Sequence, residues 1–462
     1  MPRLNYGLER VLYNPGVHWL RDLRTNVYNF DPFLRELPKT EDFNFANIPP
    51  FMPASTDPFL HQMAMKEGCS FVTSTSSISQ SMATIYFALS KMRPLSLDSL
   101  SQPFSEEPNN YTQLTRSPSA VILKPHGSSI RSIVIEKTED PQRENVLTKM
   151  GQIMERLLVE SKTNFLKMLK SSDTRPQHRP VESYAYTVMD KILLRSQLDC
   201  HDPNLPRHTF DLKTRAVLPV RMDLNNYHSY RDYRILTNTG LYCSFEREYY
   251  DMCRSAFLKY NFQVRIGDMD GIFVAYHNVF EIFGFQYVSR AEMDERIYGN
   301  STTGDAAFNL ILQIYNAILD EIVPLYPATS TLRLTFSVDK VGNRLVVFAE
   351  DCGVDGQEAG KDIRQFVISI NSMLNGFRTD QILLDNNDRW SVTLAIAQTE
   401  ASMTEYDSAR SKITMLRTED EIQEGGKEAK FIQMINEKTR GLGVPPAFRP
   451  GVPDIIAPWT IL

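Results

Sequence analysis

The stretch that decides the fold runs from Ile192 to Asp223 and reads ILLRSQLDCHDPNLPRHTFDLKTRAVLPVRMD. An apolar run ends at Asp199, a turn rich in Pro, Asn and His follows, and a second run contains Asp211-Leu212-Lys213. This pattern predicts a β-hairpin that carries charged residues. Because alternate residues of a strand point to opposite faces, Asp211 and Lys213 share one face, and pairing of the two runs would bring Asp199 onto it.

Two carboxylates and one ammonium form a set of groups that suits phosphodiester hydrolysis. Mg²⁺ and Mn²⁺ prefer oxygen ligands and are commonly held by one or two carboxylates together with the substrate phosphate. Asp199 and Asp211 are therefore predicted to bind Mg²⁺ or Mn²⁺, and Lys213 to position the nucleophile or to stabilise charge on the phosphate. Glu182, at the start of a short helix predicted over residues 182–190, is a candidate third acid. On spacing alone, the same triplet also fits a solvated strand face.

Outward from this stretch, helical and strand-like runs alternate, which predicts a mixed α/β fold around one sheet. We divide the 462 residues into an N-terminal wrapping region with a Ser/Pro-rich loop (1–140), a core around the central stretch (141–300) and a C-terminal α/β region with a Pro-rich tail (301–462). The apolar periodicity predicts helices near residues 82–89, 146–158, 245–260 and 306–323. Strands are predicted near 120–123, 132–136, 192–199, 208–221, 271–276, 282–288, 332–338, 344–350 and from 390.

Composition limits the classes of partner and compartment. The net charge is −6, so any polyanion must be held by a local basic groove. Five scattered cysteines without C-x-x-C spacing argue against a disulfide framework or a structural zinc site. No apolar stretch reaches the roughly 20 residues of a spanning helix, so we expect no transmembrane helix. The first residues lack the features of a secretion signal or transit peptide, so any targeting segment is expected to be absent from this sequence.

Basic and aromatic residues are dense around the candidate centre. Such a set would form a groove in which arginines grip phosphates and tyrosines stack on bases, whereas surface salt bridges are the alternative for the same arginines. The residues are Arg195, Arg207, Arg215, Arg221, Arg247, Arg254 and Arg265, with Tyr227, Tyr230, Tyr249 and Tyr250.

The central motif carries a family resemblance. Asp199 followed by Asp211-Leu212-Lys213-Thr214 resembles the D…(D/E)-x-K signature of the PD-(D/E)XK nuclease superfamily, especially its RecB-like exonuclease branch, although Leu198 stands in the position of Pro. More closely, several runs between residues 14 and 288 resemble a fungal mitochondrial RNA-processing family known from respiration-deficient petite yeast. These runs include NPGVHWLRD, VYNFDPFL, RSQLDCHDPNLP, FDLKTRAVLPVRMD, SFEREYYDMCRSAFLKY, QVRIGDMDGIFVAYHN and IFGFQYVS.

The resemblance implies a fold and an activity. The fold is a restriction-endonuclease-like PD-(D/E)XK core over residues 141–300 with family-specific N- and C-terminal extensions. The implied activity is that of a metal-dependent exoribonuclease that acts 5′ to 3′ on single-stranded mitochondrial transcripts, in RNA 5′-end processing and RNA degradation. The implied location is the mitochondrial matrix, with peripheral association with the inner membrane.

The resemblance also implies roles for individual residues. The backbone carbonyl of Leu212 is an implied metal ligand, and the helix after the second strand is implied to contact phosphate. The candidate substrate-binding residues are Arg215, Arg247, Tyr250, Arg254 and Gln263. Two other functions stay open from the residues themselves: a DNA nuclease of the same superfamily, and an RNA-binding scaffold without catalysis.

Overall fold

Two β-sheets and the helices between them form the protein. The computed structural model describes residues 1–50, 52–126, 132–137, 145–172, 182–339, 342–354, 362–380 and 382–415. The helices are α1 (Pro58–Glu67), α2 (Thr75–Leu89), α3 (Val146–Val159), α4 (Lys162–Leu166), α5 (Leu218–Met222), α6 (Phe245–Ser255), α7 (Phe257–Ile266), α8 (Arg290–Tyr298), α9 (Ser301–Ile322) and α10 (Met403–Met415). The predicted Pro-rich tail and the boundary near residue 140 lie outside the described residues.

The strands divide unequally between the two sheets. They are β1 (Val17–Trp19), β2 (Phe71–Ser74), β3 (Ser119–His126), β4 (Ser132–Lys137), β5 (Ser183–Met189), β6 (Ile192–Leu198), β7 (Cys200–His201), β8 (Thr209–Ala216), β9 (Gly271–His277), β10 (Ile282–Ser289), β11 (Leu332–Val338), β12 (Leu345–Asp351), β13 (Ile363–Leu374), β14 (Phe377–Arg378) and β15 (Trp390–Thr399). One sheet has the order β1-β10-β9-β8-β7. The other has the order β14-β13-β12-β11-β3-β4-β2-β6-β5, with β15 paired to β13. The predicted mixed α/β fold is confirmed, but the prediction of a single sheet is wrong.

The central stretch supplies strands to both sheets and does not form the predicted hairpin. β6 pairs with β2 in parallel and with β5 in antiparallel orientation, whereas β8 pairs with β9 in parallel. Only the two-residue β7 pairs with the start of β8. Residues 192–196 are all buried, so the apolar run of β6 needs neighbours on both sides and cannot be an edge strand beside β8.

The segment before β6 is also a strand, and the predicted short helix over residues 182–190 is wrong. The residues Tyr-Ala-Tyr-Thr-Val of β5 combine aromatic and β-branched side chains, which favour strands. Asp190 has a left-handed backbone conformation (φ 54°), which makes the two-residue turn into β6. The left-handed turn at Asp190 therefore favours a hairpin of β5 and β6 over a helix in this segment.

Most of the other predicted elements are present with shifted ends. The predicted helix over 245–260 is divided at Ala256 into α6 and α7, because this residue leaves the helical conformation (φ −133°). Elements that were not predicted include strands β2 and β13 and helices α1, α8 and α10. Helix α9, with the turn that follows it to Leu325, has the length and hydropathy of a membrane span, but 61% of its apolar window is buried in the fold. That burial is typical of a core helix.

The ten-stranded sheet joins the three predicted regions. It takes β2 to β4 from residues 1–140, β5 and β6 from 141–300, and β11 to β15 from 301–462. One hydrophobic core cluster likewise contains residues from all three regions. The division into three domains stays a prediction. All three regions contribute to one sheet and to one hydrophobic core.

The last residue of β9, His277, leads us to predict how the stability of the protein depends on pH. His277 is 1% exposed, its ring Nδ1 accepts a hydrogen bond from the Val279 backbone N–H at 3.0 Å, and burial lowers its pKa from 6.5 to about 3. The unfolded chain binds a proton below pH 6.5 while the folded protein does not. The stability contributed by the neutral ring is therefore present above pH 6.5 and lost as the pH falls towards 3.

We predict that His277→Asn, which keeps an acceptor atom but does not titrate, removes this loss. Between about pH 6.5 and 4.5, the unfolding free energy of the wild type should fall relative to the variant by about 1.4 kcal/mol per pH unit. Urea denaturation of both proteins at several pH values measures this difference. His228→Asn, at an exposed histidine, is the matched control. Parallel pH profiles for wild type and His277→Asn would contradict the prediction.

Candidate active site

Asp199 lies where the chain passes from one sheet to the other. It is the single residue between β6 and β7, so its backbone belongs to neither sheet. Its Oδ2 accepts a hydrogen bond from the backbone N–H of Leu212 on β8 at 2.9 Å. Within the described residues, β7 covers only Thr209 and Phe210 of β8, and the Asp199 carboxylate takes the place of the next strand partner.

Asp211 and Lys213 project from the same face of β8, as predicted. The Lys213 Nζ atom is 2.5 Å from Asp211 Oδ2, and the two side chains are 17% and 6% exposed. The ammonium also lies 5.0 Å from the centre of the Tyr260 ring on α7. The three residues Asp199, Asp211 and Lys213 are therefore brought together, although through the junction between sheets and not through a hairpin.

The backbone of Leu212 faces the same place. In a β-strand, the N–H and C=O groups of one residue point to the same side. Since the Leu212 N–H is bonded to Asp199, the Leu212 carbonyl oxygen also points to the edge of β8 that carries the Asp199 carboxylate. The Leu212 side chain, 8% exposed, belongs to the core.

Helix α3 adds a carboxylate that the sequence interpretation missed. Glu155 lies close enough to Asp211 and Lys213 for their charges to affect its pKa, and it forms an ion pair with the Arg156 Nη2 atom at 2.8 Å. Gly151, one turn earlier on the same helix face, has only the Thr214 hydroxyl of β8 near the position of a Cβ, at 3.7 Å. A glycine inside a helix costs about 1 kcal/mol, so its presence indicates that another element packs closely against it. Gly151, four residues before Glu155 in an amphipathic helix, was therefore the signal in the sequence for this face of α3.

The charged groups of the site shift one another's pKa values. Burial, followed by the charge and hydrogen bonding of Asp211, raises the pKa of Asp199 well above its ordinary 3.8. Burial also raises the pKa of Glu155, and the Asp211 and Glu182 charges add to that effect while Arg156 opposes it. Burial alone would lower the pKa of Lys213, but the carboxylates of Asp211 and Asp199 outweigh it and raise the pKa. Lys213 is thus held as a cation.

The predicted third acid, Glu182, lies at the border of this cluster. It directly precedes β5 and is half-buried, and its carboxylate accepts a hydrogen bond from the Tyr184 hydroxyl. Its charge contributes to the raised pKa of Glu155. Among the described residues, it makes no direct contact with Asp199 or Asp211.

Arg215 continues the line of side chains on the face of Asp211 and Lys213. It is 7% exposed, and its Nε and Nη2 atoms have no hydrogen-bond partner within the described part of the chain. The nearest carboxylate, Glu248 on α6, is 3.9 Å away and is bonded to Arg221 at 2.7 Å. Burial, followed by the charge of Arg221, lowers the pKa of Arg215 to about 10.

The other predicted substrate-binding residues lie on α6 and α7. Arg247 forms an ion pair with Asp251 at 3.2 Å, and Arg254 Nε donates to the Asn110 carbonyl at 2.7 Å. Gln263 is half-buried on α7, one turn beyond Tyr260. Tyr250 is fully buried and its hydroxyl donates to the Pro108 carbonyl at 2.6 Å.

The prediction of substrate contact by Tyr250 is therefore wrong. A residue with no exposed surface cannot reach a ligand. Its ring instead packs between two guanidinium groups, with Arg247 and Arg254 at 5.3 and 5.0 Å from the ring centre. These cation–π contacts help to hold both arginines in place.

The donor set fits a hard divalent cation. Asp211 Oδ2 is buried and has no hydrogen-bond partner among the described residues; its short contact with Lys213 is an ion pair. Among the residues that the structure describes, no three His, Cys, Asp or Glu side chains are arranged to hold a metal ion. A cation here would take the Asp199 and Asp211 carboxylates and the Leu212 carbonyl, with water completing the shell, which is usual for Mg²⁺.

Together, the fold and the site define a mixed α/β protein with a carboxylate–lysine centre at the open edge of a strand. The model of the family described as mitochondrial protein Pet127 matches residues 51–320. This chain belongs to the Pet127 family, and the predicted family and its mitochondrial location are confirmed at that level.

Two curated relatives and one solved structure are similar to the chain. The mRNA degradation protein pet127, mitochondrial, of Schizosaccharomyces pombe is 36% identical over 366 residues, which are 78% of this chain and 70% of the relative. Saccharomyces cerevisiae PET127, named as a candidate component of the mitochondrial translation system, is 33% identical over 430 residues. That match includes 88% of this chain but only 49% of the relative.

The solved structure is Scheffersomyces stipitis Rai1 in complex with 3′-NADP⁺ and calcium ion. It covers 72% of this chain and 82% of its own, with 11% identity and a TM-score of 0.35. A TM-score at this level is too low to establish a shared fold.

The crowding of carboxylates generates a prediction about stability. Asn at position 199 keeps an oxygen for the Leu212 N–H and removes the charge that faces Asp211. Because the folded protein raises the pKa of Asp199, the stability linked to the protonated acid is present below 3.8 and is lost as the pH rises through the raised value.

We therefore predict that Asp199→Asn is more stable than the wild type in EDTA, by about 1 kcal/mol at pH 8, and that this advantage shrinks towards pH 4. Urea denaturation in EDTA at several pH values measures it. Asp320→Asn, at an exposed ion pair with Lys191, is the control and should show no such pH-dependent gain. A variant that is less stable than the wild type at pH 8 would refute the prediction.

Proposed function

We propose that this protein is a metal-dependent exoribonuclease that hydrolyses phosphodiester bonds of single-stranded mitochondrial transcripts in the 5′-to-3′ direction. The observation that carries the proposal is the meeting of Asp199, Asp211 and Lys213 at the open edge of β8. The name of the Schizosaccharomyces pombe relative, an mRNA degradation protein, favours RNA over DNA as the polymer. The direction of cleavage and the association with the inner membrane rest on the family resemblance and stay predictions.

The proposal assigns the metal to Asp199, Asp211 and the Leu212 carbonyl. When bound, Mg²⁺ or Mn²⁺ would lower the pKa of a coordinated water and neutralise charge on the phosphate. The two carboxylates repel each other, as the raised pKa of Asp199 indicates, and a divalent cation would relieve that repulsion. The PD-(D/E)XK core implied by the resemblance requires this same set of residues.

The chain's own residues would bind and orient the phosphate. Lys213 is held as a cation between Asp211 and the Tyr260 ring, so its ammonium is available to stabilise negative charge on a phosphate oxygen at that edge. Glu155 is a candidate to accept a proton from the attacking water, since burial raises the pKa of its carboxyl. Arg215, two residues beyond Lys213 on the same face, would contact an adjacent phosphate.

We predict that Asp211→Asn and Lys213→Ala both remove efficient cleavage but fail differently. Asp211→Asn removes a ligand and should lose metal binding, with partial rescue by raised Mn²⁺. Lys213→Ala should still bind metal and RNA but turn over about 10² to 10³ times more slowly, the usual loss when a stabiliser of developing charge is removed. End-labelled RNA and DNA of the same sequence, incubated with Mg²⁺, Mn²⁺ or EDTA, provide the measurement, and thermal shift against Mn²⁺ reports metal binding without catalysis.

The chain offers a matched control pair. Lys191 and Asp320 form an Asp–Lys ion pair of 2.6 Å whose side chains are 45% and 46% exposed. Asp320→Asn and Lys191→Ala should leave cleavage unchanged. Undiminished RNA cleavage by Asp211→Asn and Lys213→Ala would remove the enzyme proposal for this site. Cleavage of DNA in preference to RNA would favour the DNA nuclease alternative, and RNA binding without cleavage by the wild type would favour the scaffold.

A further inference from the structure

The tyrosines predicted to stack on bases are mostly unable to do so. Tyr230, Tyr249 and Tyr250 are 3%, 6% and 0% exposed. Tyr227 is partly exposed, but its ring packs against those of His228 and Phe280. If RNA bases are held by aromatic side chains, these side chains must lie elsewhere.

Two aromatic rings, one exposed and one partly buried, meet at β5. Phe59 in the first turn of α1 is 55% exposed, and its ring centre lies 4.9 Å from that of Tyr186, with an angle of 60° between the rings. Tyr186 is only partly buried. Because the rings meet at 60°, they do not form one flat surface, and the exposed Phe59 ring, supported by Tyr186, is the one that a flat ligand can stack on.

Buried contacts fix the position of this pair. Asp57 Oδ1 accepts hydrogen bonds from the backbone N–H groups of Phe59 and Leu60, so it sets the start of α1. Its other oxygen pairs with Arg195 at 2.6 Å, with both side chains less than 5% exposed. The Arg195 guanidinium lies 4.6 Å from the centre of the Tyr184 ring. Phe59 is therefore attached to β5 and β6 through a buried ion pair, and little ordering is needed when a ligand binds.

The same strand leads back to the proposed active site. Tyr184 and Tyr186 are two residues apart on β5 and so project from one face. Ser183, the residue before Tyr184, pairs with Leu198, the residue before Asp199. The start of β5 therefore lies beside the proposed active site, and Tyr184 and Tyr186 follow along the strand from that point.

We propose that the Phe59 ring, supported by Tyr186, forms a stacking platform for unpaired bases of an RNA strand whose phosphate lies at the Asp199–Asp211 edge. The platform rests on the proposed function, because that function supplies the polymer. Stacking accepts every base, since each has a π-face, so the platform would favour unpaired strands without selecting a sequence. Bases held in a duplex would not expose a face to Phe59.

The test is a binding measurement in EDTA, which needs no catalysis. The probe is a single-stranded RNA that carries 2-aminopurine, whose fluorescence reports stacking, and the comparison is a duplex of the same sequence. Phe59→Ala should weaken single-strand binding about tenfold and reduce the fluorescence change, while the salt dependence stays that of the wild type because no phosphate contact is removed. Phe59→Trp should bind as the wild type does or more tightly. Phe377→Ala, at a ring that is 79% exposed on β14, is the matched control and should bind normally.

Three results would overturn the platform. The first is wild-type affinity of Phe59→Ala, which would leave the exposed ring to a protein partner. The second is an equal loss for single strand and duplex, and the third is full binding by Phe59→Leu, which keeps apolar contact without an aromatic face. The measurement is then repeated with Asp211→Asn. Stacking on Phe59 should persist in that variant, because it requires no cleavage. It should persist for the same reason if the wild type does not cleave RNA, so the two proposals can fail separately.

Discussion

The hydrogen bond from the Leu212 N–H to the Asp199 carboxylate is the interaction on which the site depends. The chain changes sheets at Asp199, and β7 is too short to cover β8 beyond Phe210. The carboxylate therefore closes the strand edge that the backbone leaves open. Because a side chain closes it, no strand of the described residues pairs with this edge of β8 beside Asp211.

The carboxylates of the site are crowded. Asp199, Asp211 and Glu155 lie around the Lys213 ammonium, whereas Arg195 and Asp57 form a single buried ion pair and Arg265 is balanced by both Asp294 and Asp305. Like charges that are held close together reduce stability and are kept where function needs them. Many of the arginines around the candidate site instead form structural ion pairs.

The sequence predicted the parts of the site that depend on local pattern. The two-residue alternation placed Asp211 and Lys213 on one face of β8, and the 3.6-residue period placed α3, because each period is a property of the element itself. The choice of strand partners is not local, so β6 was assigned to β8 although its true neighbours are β2 and β5. Glu155 was missed because it reaches the site from another element, and Tyr250 was misjudged because exposure depends on what packs over a helix.

The topology of the large sheet has a consequence for how the chain folds. β2, from the first region, lies in parallel between β4 and β6, and β1 pairs with β10. Parallel and long-range pairings must close large loops before they are stabilised, so they form late and slowly. As synthesis or import delivers the chain from its N-terminus, one edge of β2 stays unpaired until β6 arrives, and such an edge invites association with other chains. The early segments are thus candidates for chaperone binding during folding.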